Sequence, residues 1–270
     1  MKRRLIQLCA ALLYNLNLKG FAEASIYKGK SKGLCVPGLN CYSCPGAVGS
    51  CPLGTLQNAL SAMDRKLPFY ILGVLLLFGV TMGRTICGFL CPFGLVQELL
   101  YKIPVPKIKK NRVTQELSKV KYVILAVFVV ILPVVFKAAS GLPVPAFCKY
   151  ICPAGTLEGG IPLVLLDDSL SGLAGALFHW KVLVLAVILV SACFLYRSFC
   201  RILCPLGAIY SLFAPVALLG VRIDRDTCVD CGRCVRTCKM DVRQVGDREC
   251  IQCGECMKEC NCLLYTSDAA

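Results

Sequence analysis

The stretch CVDCGRCVRTC at residues 228–238 and its near copy CIQCGECMKEC at residues 250–260 decide the fold of the C-terminal part of the chain. Each half reads C-x2-C-x2-C-x3-C, a spacing that holds iron–sulfur clusters through cysteine thiolates, with the fourth cysteine of each run binding the other cluster. The spacing therefore predicts two [4Fe–4S] clusters. One would be held by Cys228, Cys231, Cys234 and Cys260, and the other by Cys250, Cys253, Cys256 and Cys238.

Zinc and disulfides are the weaker interpretations of these cysteines. Zinc ribbons use four cysteines per metal, so the third and fourth cysteine of each run would be surplus. Disulfide frameworks are typical of small secreted domains. One departure from the usual cluster motif stands out, because Lys239 and Asn261 follow the fourth cysteines where proline is common. The change affects the turn but removes no ligand.

The composition indicates a membrane protein. Apolar residues make up 57% of the 270 residues and the mean hydropathy is +0.67, which is too apolar for an ordinary soluble domain. The 21 cysteines occur in short regular groups, as metal ligands do. The formal charge of +14 comes largely from Lys and Arg beside apolar segments, where they set topology. We therefore expect the lipid bilayer and redox proteins as partners, and no nucleic acid.

The apolar runs predict a mainly α-helical chain with about four membrane spans and possible re-entrant half-helices. A basic start and an apolar run suit a retained first membrane helix, with a cleaved signal peptide as the alternative. Further runs cover 67–82, 122–136 and 182–196, and we expect Pro133 to kink the second of them. Asp167 and Asp168 make a full span over 161–178 doubtful, and Pro215 breaks the run 208–223.

Three regions follow from this pattern. Residues 1–222 are predicted to form the membrane domain and residues 223–262 a small α+β domain of the bacterial 2[4Fe–4S] ferredoxin type. Residues 263–270 are expected to be an unstructured or atypical tail.

Four copies of one motif lie at the ends of the apolar runs: CPLG (51–54), CPFG (91–94), CPAG (152–155) and CPLG (204–207). The last three are preceded by another cysteine four residues earlier. Proline favours the first position of a helix, so the cysteine before it lies beside free backbone N–H groups that stabilise a thiolate. A single pair could be core packing, but four phased copies favour cluster ligands.

Charge predicts the sides of the membrane on which these motifs lie. The basic N-terminus and the basic segment Lys102–Lys121 are expected in the cytoplasm. An inner site at the cytoplasmic face would consist of Cys87, Cys91, Cys200 and Cys204. An outer site at the opposite face would draw on Cys41, Cys44, Cys51, Cys148 and Cys152, one thiol more than it needs. One or two further [4Fe–4S] clusters are thus expected in the membrane domain.

Together these motifs resemble the membrane polyferredoxins of the NapH/MauN, NosR and CcoG type, over the region from Cys87 to Cys260. Such proteins combine membrane helices, paired C-x3-C-P motifs and a cytoplasmic two-cluster ferredoxin domain. The resemblance implies a multi-pass protein of the cell (inner) membrane that carries electrons to or from a partner redox enzyme. The outer site is additional to the family's two-motif pattern and is inferred from this sequence.

The predicted function is electron transfer by a carrier or oxidoreductase subunit without a substrate site, and no catalytic residue is assigned. The only histidine, His179, stands beside Trp180 and is interpreted as an interfacial anchor. Two alternatives stay open. One is an assembly or maturation factor that supplies electrons to a partner metalloenzyme, and the other is a membrane thiol–disulfide redox protein that uses Cys41 and Cys44.

Overall fold

The computed structural model describes residues 2–61, 68–108, 111–167, 169, 172, 174–240, 242–260 and 262–265. This part of the chain is mainly helical. The α-helices are Lys2–Tyr14, Lys19–Ala22, Pro52–Ser61, Phe69–Thr81, Thr85–Phe89, Pro92–Leu100, Arg112–Leu117, Val120–Ile124, Leu132–Ser140, Ala146–Tyr150, Ile161–Leu166, Ala176–Phe194, Ser198–Ile202, Pro205–Phe213 and Arg233–Thr237. Two π-helices cover Leu125–Ile131 and Gly155–Gly160, and two 3-10 helices cover Lys30–Gly33 and Glu255–Lys258.

Two helical segments, Arg112–Ser140 and Ala176–Phe194, are long and apolar enough to cross a membrane. Only 17% of the apolar window in each is buried, and side chains such as Val123 and Val187 are exposed. Burial in the protein's own core therefore does not account for their composition. Phe69–Thr81 and the segment 155–166 are apolar but shorter, so two of the roughly four expected spans have spanning length among the described residues.

Proline and aspartate end or reshape the apolar helices. The π-helix Leu125–Ile131 ends two residues before Pro133, which lies in the first turn of the α-helix that continues to Ser140. The helix that starts at Ile161 ends at Leu166, immediately before Asp167. Pro205–Phe213 stops before Pro215, as the sequence predicts.

The C-terminal segment is closed by two short antiparallel strands, β1 (Val221–Ile223) and β2 (Leu263–Tyr265). Between them lie the two cysteine loops, which share one backbone conformation. The residues two and four positions after Cys228 and Cys250 all have positive φ: Asp230 at 47°, Gly232 at 64°, Gln252 at 54° and Gly254 at 69°. Residues 263–265 of the tail that is expected to be unstructured or atypical form β2, while residues 266–270 lie outside the described residues.

The core brings the cysteine motifs together instead of separating them. One buried cluster includes Cys51, Cys91, Cys152, Cys204 and Cys250, side by side with large apolar residues. Gly38 stands three residues before Cys41. A Cβ added to Gly38 would lie 3.3 Å from the Cα of Cys91.

This contact bears on the expected inner and outer sites, whose placement on opposite membrane faces stays a prediction. The hydrocarbon core of a bilayer is about 30 Å thick, and three extended residues span only about 11 Å. The short segment from Gly38 to Cys41 joins the two sets of cysteines, so the two sets lie closer together than the thickness of a bilayer.

Candidate metal centres

The four CPxG motifs share one local structure, in which proline opens a helix and the cysteine before it lies at the helix cap. At Cys91 and Cys204 the N-cap position and the following proline are both present. The glycine N–H, one of the groups that a helix start leaves without a backbone partner, points at the cysteine sulfur. These pairs are Gly54 with Cys51, Gly94 with Cys91, Gly155 with Cys152 (3.3 Å) and Gly207 with Cys204 (3.3 Å).

Site B is the group formed by Cys87, Cys91, Cys200 and Cys204, the residues predicted as the inner site. All four thiols are buried. Burial raises the pKa of Cys91 to about 12, and the neighbouring Cys200 and Cys87 raise it further. The rings of Phe93 and Phe199 meet edge to face at 5.2 Å and close the core around the site. These four thiols could hold one metal cluster in a water-free setting.

Two buried arginines supply positive charge at site B. Arg84 and Arg197 each stand three residues before a site B cysteine, and both are essentially inaccessible to solvent. Within the described part of the chain, Nε and Nη2 of Arg84 have no hydrogen-bond partner. Arg84 pairs with Glu249 through Nη1, but buried N–H donors left without an acceptor are costly. Four thiolates around a [4Fe–4S] core carry net negative charge, so the residues present fit such a group.

A buried carboxylate holds the second arginine in place. Glu98 accepts hydrogen bonds from Arg197 Nε (2.9 Å), Tyr196 Oη (2.9 Å) and Arg3 Nη2 (2.8 Å). Burial alone would raise the pKa of Glu98, but Arg197 and Arg3 outweigh it and hold the pKa below its usual range. Arg197 has a positive φ of 50°, a backbone conformation that residues other than glycine rarely adopt. Its guanidinium also donates to the backbone oxygen of Cys87.

Site A is the group formed by Cys41, Cys51, Cys148 and Cys152, which line a cavity of about 550 Å³. Glycines form part of its wall. A Cβ added to Gly159 would lie 3.4 Å from Cys41 Sγ, and one added to Gly155 would lie 3.6 Å from Cys152 Sγ. The absence of side chains at these positions leaves the sulfurs room to face a bulky group, so the site fits a metal cluster.

The structure separates the fifth candidate thiol of the outer set from the other four. Cys44 is buried but does not line the cavity, and its sulfur receives backbone N–H groups of Gly46 and Ala47. The first CPxG motif has Ala47 where the other three have a cysteine four residues before the motif. Cys41 lines the site A cavity with the other three thiols, while the first motif has no cysteine at position 47.

The C-terminal cysteines are predicted from their spacing to form two groups with exchanged fourth members, and this assignment stays a prediction. Site C is the group Cys238, Cys250, Cys253 and Cys256, which line one small pocket. Site D is the group Cys228, Cys231, Cys234 and Cys260. The thiols of Cys228 and Cys260 lie close enough to Cys234 to raise its pKa, after burial as the larger cause. Cys231 is exposed.

Site C lies directly against site B. Glu249, next to Cys250, pairs with Arg84 at 3.4 Å and with Lys121. Glu255, next to Cys256, pairs with Arg3 at 3.3 Å. A Cβ on Gly88, the residue after Cys87, would lie only 2.3 Å from the carbonyl oxygen of Ile251. The two sites are thus packed backbone to backbone and tied by charge.

Lys239 stands where a proline was expected after Cys238, and its side chain has a partner on each side. Its Nζ lies 3.0 Å from Glu255 and 5.7 Å from the centre of the Tyr196 ring. The lysine thus contributes to the contact between site C and the rest of the chain. Asn261, the second departure, lies outside the described residues.

Sequence reasoning missed a set of buried polar residues at one register. The sixth residue after the CPxG cysteine is Gln57, Gln97, Glu158 or Tyr210, and each makes a hydrogen bond to another motif or to the segment 37–41. The repeat itself carried the signal, because aligning the four copies puts a polar side chain at the same place in each.

All 21 cysteines are described and all are free thiols. Among the described residues, no group of three or more Cys, His, Asp and Glu side chains is close enough to hold a single metal ion. A [4Fe–4S] core presents a separate iron to each cysteine, so its ligands need not converge on one point. The Nδ1 atom of His179 lies 3.1 Å from the carbonyl oxygen of Gly175. His179 is absent from the residues that line the site A cavity. Its role as an interfacial anchor stays a prediction.

Comparison with known proteins places these motifs in a family. The model of a 4Fe–4S binding domain matches residues 50–70, 67–111, 122–161 and 176–223, more than half of the chain. An uncharacterized protein of Methanocaldococcus jannaschii is 29% identical over 63% of this chain and 64% of its own length. The putative electron transport protein YccM of Escherichia coli is 23% identical over 72% of this chain and 54% of its own length.

The methylamine utilization ferredoxin-type protein MauN of Paracoccus denitrificans is 26% identical over 72% of this chain and 62% of its own length. The chain thus spans between about half and two thirds of the length of the curated relatives it matches. No solved structure is similar to it. The resemblance to polyferredoxins is confirmed, and the chain belongs to the family of 4Fe–4S binding domain proteins.

Proposed function

We propose that the chain is a membrane electron-transfer protein in which sites A, B, C and D each hold one [4Fe–4S] cluster. Bound clusters supply one-electron chemistry, and the chain's own residues bind, space and insulate them. Single electrons would pass between the exposed site D and a partner redox enzyme near site A, through sites C and B. Two clusters thus belong to the C-terminal segment and two to the preceding part of the chain.

The contact between sites C and B carries this proposal. Glu249 and Glu255 precede two of the site C cysteines, and both pair with cations that belong to the part of the chain containing site B. Arg84 and Lys121 have fully buried side chains, so these pairs are not solvent-exposed surface ion pairs. An electron carrier requires its centres to lie close and at fixed separation, and these buried pairs support such an arrangement of sites C and B.

The segment from Pro37 to Cys41 supports the next step, from site B to site A. The N–H of Leu39 points at the sulfur of Cys91 in site B, and Cys41 follows two residues later in site A. Tyr210, fully buried in the last CPxG helix, donates to the carbonyl oxygen of Pro37 at 2.9 Å. The segment is thus fastened to site B at one end and enters site A at the other.

Placement in the cell membrane is part of the proposal. The exposed apolar side chains of Arg112–Ser140 and Ala176–Phe194 would face lipid. Lys121, at the basic end of the first of these, bonds Glu249 at 2.6 Å. Because basic segments stay in the cytoplasm, the C-terminal segment that Lys121 contacts would be cytoplasmic too. We accordingly keep residues 1–222 as the membrane domain and assign the ferredoxin domain from residue 223 through β2.

Metal analysis after anaerobic purification tests the proposal. Four clusters require about sixteen irons and about sixteen sulfides per chain. About eight would leave clusters only in sites C and D and would remove the route through the membrane domain. Replacing Cys148 with serine should abolish one cluster signal in low-temperature EPR. Cys44→Ser is the matched control, because that thiol does not line the site A cavity.

A further inference from the structure

One cysteine in each membrane-domain site receives a hydrogen bond from a buried glutamine side chain. In site B, Gln97 Nε2 lies 3.1 Å from Cys200 Sγ. In site A, Gln57 Nε2 lies 3.2 Å from Cys148 Sγ. Both glutamines are fully buried. The same contact, made twice by residues at the same register of the repeat, is unlike an accidental polar neighbour.

The orientation of each amide is fixed by its other partners. Gln97 Oε1 accepts the backbone N–H of Phe199 at 3.0 Å, so the amino end of that side chain must face the sulfur. Gln57 Oε1 accepts the N–H of Phe147 at 2.9 Å in the same way. Each Nε2 group also lies 3.3 Å from a carbonyl oxygen of its own helix. Both amino hydrogens therefore have acceptors.

The other two residues at this register make different contacts. Glu158 accepts the N–H of Cys41 at 2.7 Å, and Tyr210 donates to the carbonyl oxygen of Pro37. Both hold the segment that joins sites A and B and not a sulfur. Of these four residues, Gln57 and Gln97 thus donate to a sulfur, at Cys148 in site A and at Cys200 in site B.

We propose that Gln57 and Gln97 are positioning residues that set the reduction potentials of the clusters in sites A and B, an inference that rests on the proposed function. Hydrogen bonds to the ligating sulfurs are among the determinants of cluster potential. Reduction adds one electron and makes the ligand sulfurs more negative, which strengthens an N–H donor bond. The donor therefore stabilises the reduced state more than the oxidised state, with no bond broken and no proton transferred.

The test replaces each glutamine with methionine, which has similar length but no donor. Full-length protein is purified anaerobically, its iron is counted, and the clusters are titrated potentiometrically with EPR detection. Loss of signal in Cys148→Ser and Cys204→Ser assigns sites A and B. In Gln97→Met we expect the ratio of reduced to oxidised site B cluster at a fixed potential to fall about tenfold, equivalent to about 59 mV for one electron. Gln57→Met should do the same at site A alone.

The results distinguish the role of the glutamines from the proposed electron-transfer function. Full iron with unshifted midpoints in both variants overturns the role of the glutamines and leaves the proposed function standing. Iron missing already from the unaltered chain overturns the proposed function itself. If a variant loses its cluster, the hydrogen bond is tested in the unaltered protein instead. That protein is prepared with glutamine labelled with ¹⁵N in the side chain. A nitrogen coupling on the reduced cluster signals supports the proposal, and its absence overturns it.

Discussion

Glu249→Gln should loosen the C-terminal segment from site B. The carboxylate of Glu249 lies 3.4 Å from Arg84 and also pairs with Lys121, whose side chains are both 0% exposed. At that distance and an effective dielectric constant of about 20, the attraction to Arg84 alone is about 5 kcal/mol before desolvation. Breaking a buried pair typically costs about 3–5 kcal/mol. Because Glu249 is itself 19% exposed, we take the lower end, about 3 kcal/mol.

Hydrogen exchange of backbone amides measures this loss locally. The N–H of Val221 donates to Gln252 Oε1 at 2.7 Å, and that of Cys250 donates to the carbonyl oxygen of Asp247 at 2.8 Å. Since 1.4 kcal/mol corresponds to a factor of ten, a loss of about 3 kcal/mol predicts exchange about 150-fold faster at these amides. The measurement is made on the anaerobically purified full chain.

Glu116→Gln is the matched control. Glu116 also pairs with a lysine, Lys119, but the two side chains are 59% and 66% exposed. An exposed pair at this helical spacing contributes little to stability, so exchange should rise less than about twofold. Equal effects of the two substitutions, with iron content intact, would refute the claim that buried charge fastens site C to site B.

Three further predictions concern packing, pH and ligand choice. Gly88→Ala should destabilise the same interface by about 1–3 kcal/mol, because the added Cβ would lie 2.3 Å from the carbonyl oxygen of Ile251; Gly73→Ala, where a Cβ meets nothing within 4 Å, is the control in the same exchange measurement. The thermal stability of the metal-free chain should fall as pH rises from about 9 to about 12. Burial raises the pKa of Cys51 from 9.0 to about 12, so in this range the folded state holds the proton that the unfolded state releases. Constant stability over this range would contradict the burial of that thiol. Cys41→Ser should remove the site A cluster signal in EPR while Cys44→Ser retains it, and the reverse result would show that Cys44 is the fourth ligand.

Local features of this molecule could be predicted from sequence because they depend on a few neighbouring residues. Proline after each CPxG cysteine predicts a helix start, and Cys91 and Cys204 lie at helix caps. The C-x2-C-x2-C-x3-C spacing predicts two equivalent loops, and these loops have the same positive-φ positions. Asp167 and Pro215 predict interrupted apolar segments, and the helices end beside them.

The relation between the sites could not be predicted in the same way. The charge rule assigns loops to sides of a membrane, but it does not show that the segment 37–41 folds back to contact Cys91. Pairs such as Arg84 with Glu249 join residues far apart in sequence, and neither partner belongs to a motif. The choice of Cys41 over Cys44 depends on which thiol lines the site A cavity, and only the folded loop determines that.

The gradient of burial from site D to site B has a consequence for survival in air. Cys231 is exposed, and Val229, which follows Cys228 of the same site, is 80% accessible, whereas every thiol of site B is buried. Oxidants attack cysteine sulfur according to thiolate character and access. Under the proposed function, oxygen damage would therefore begin at site D and cut the chain off from its soluble partners before the inner centres are lost. Repair that rebuilt this one outermost centre would restore the whole protein.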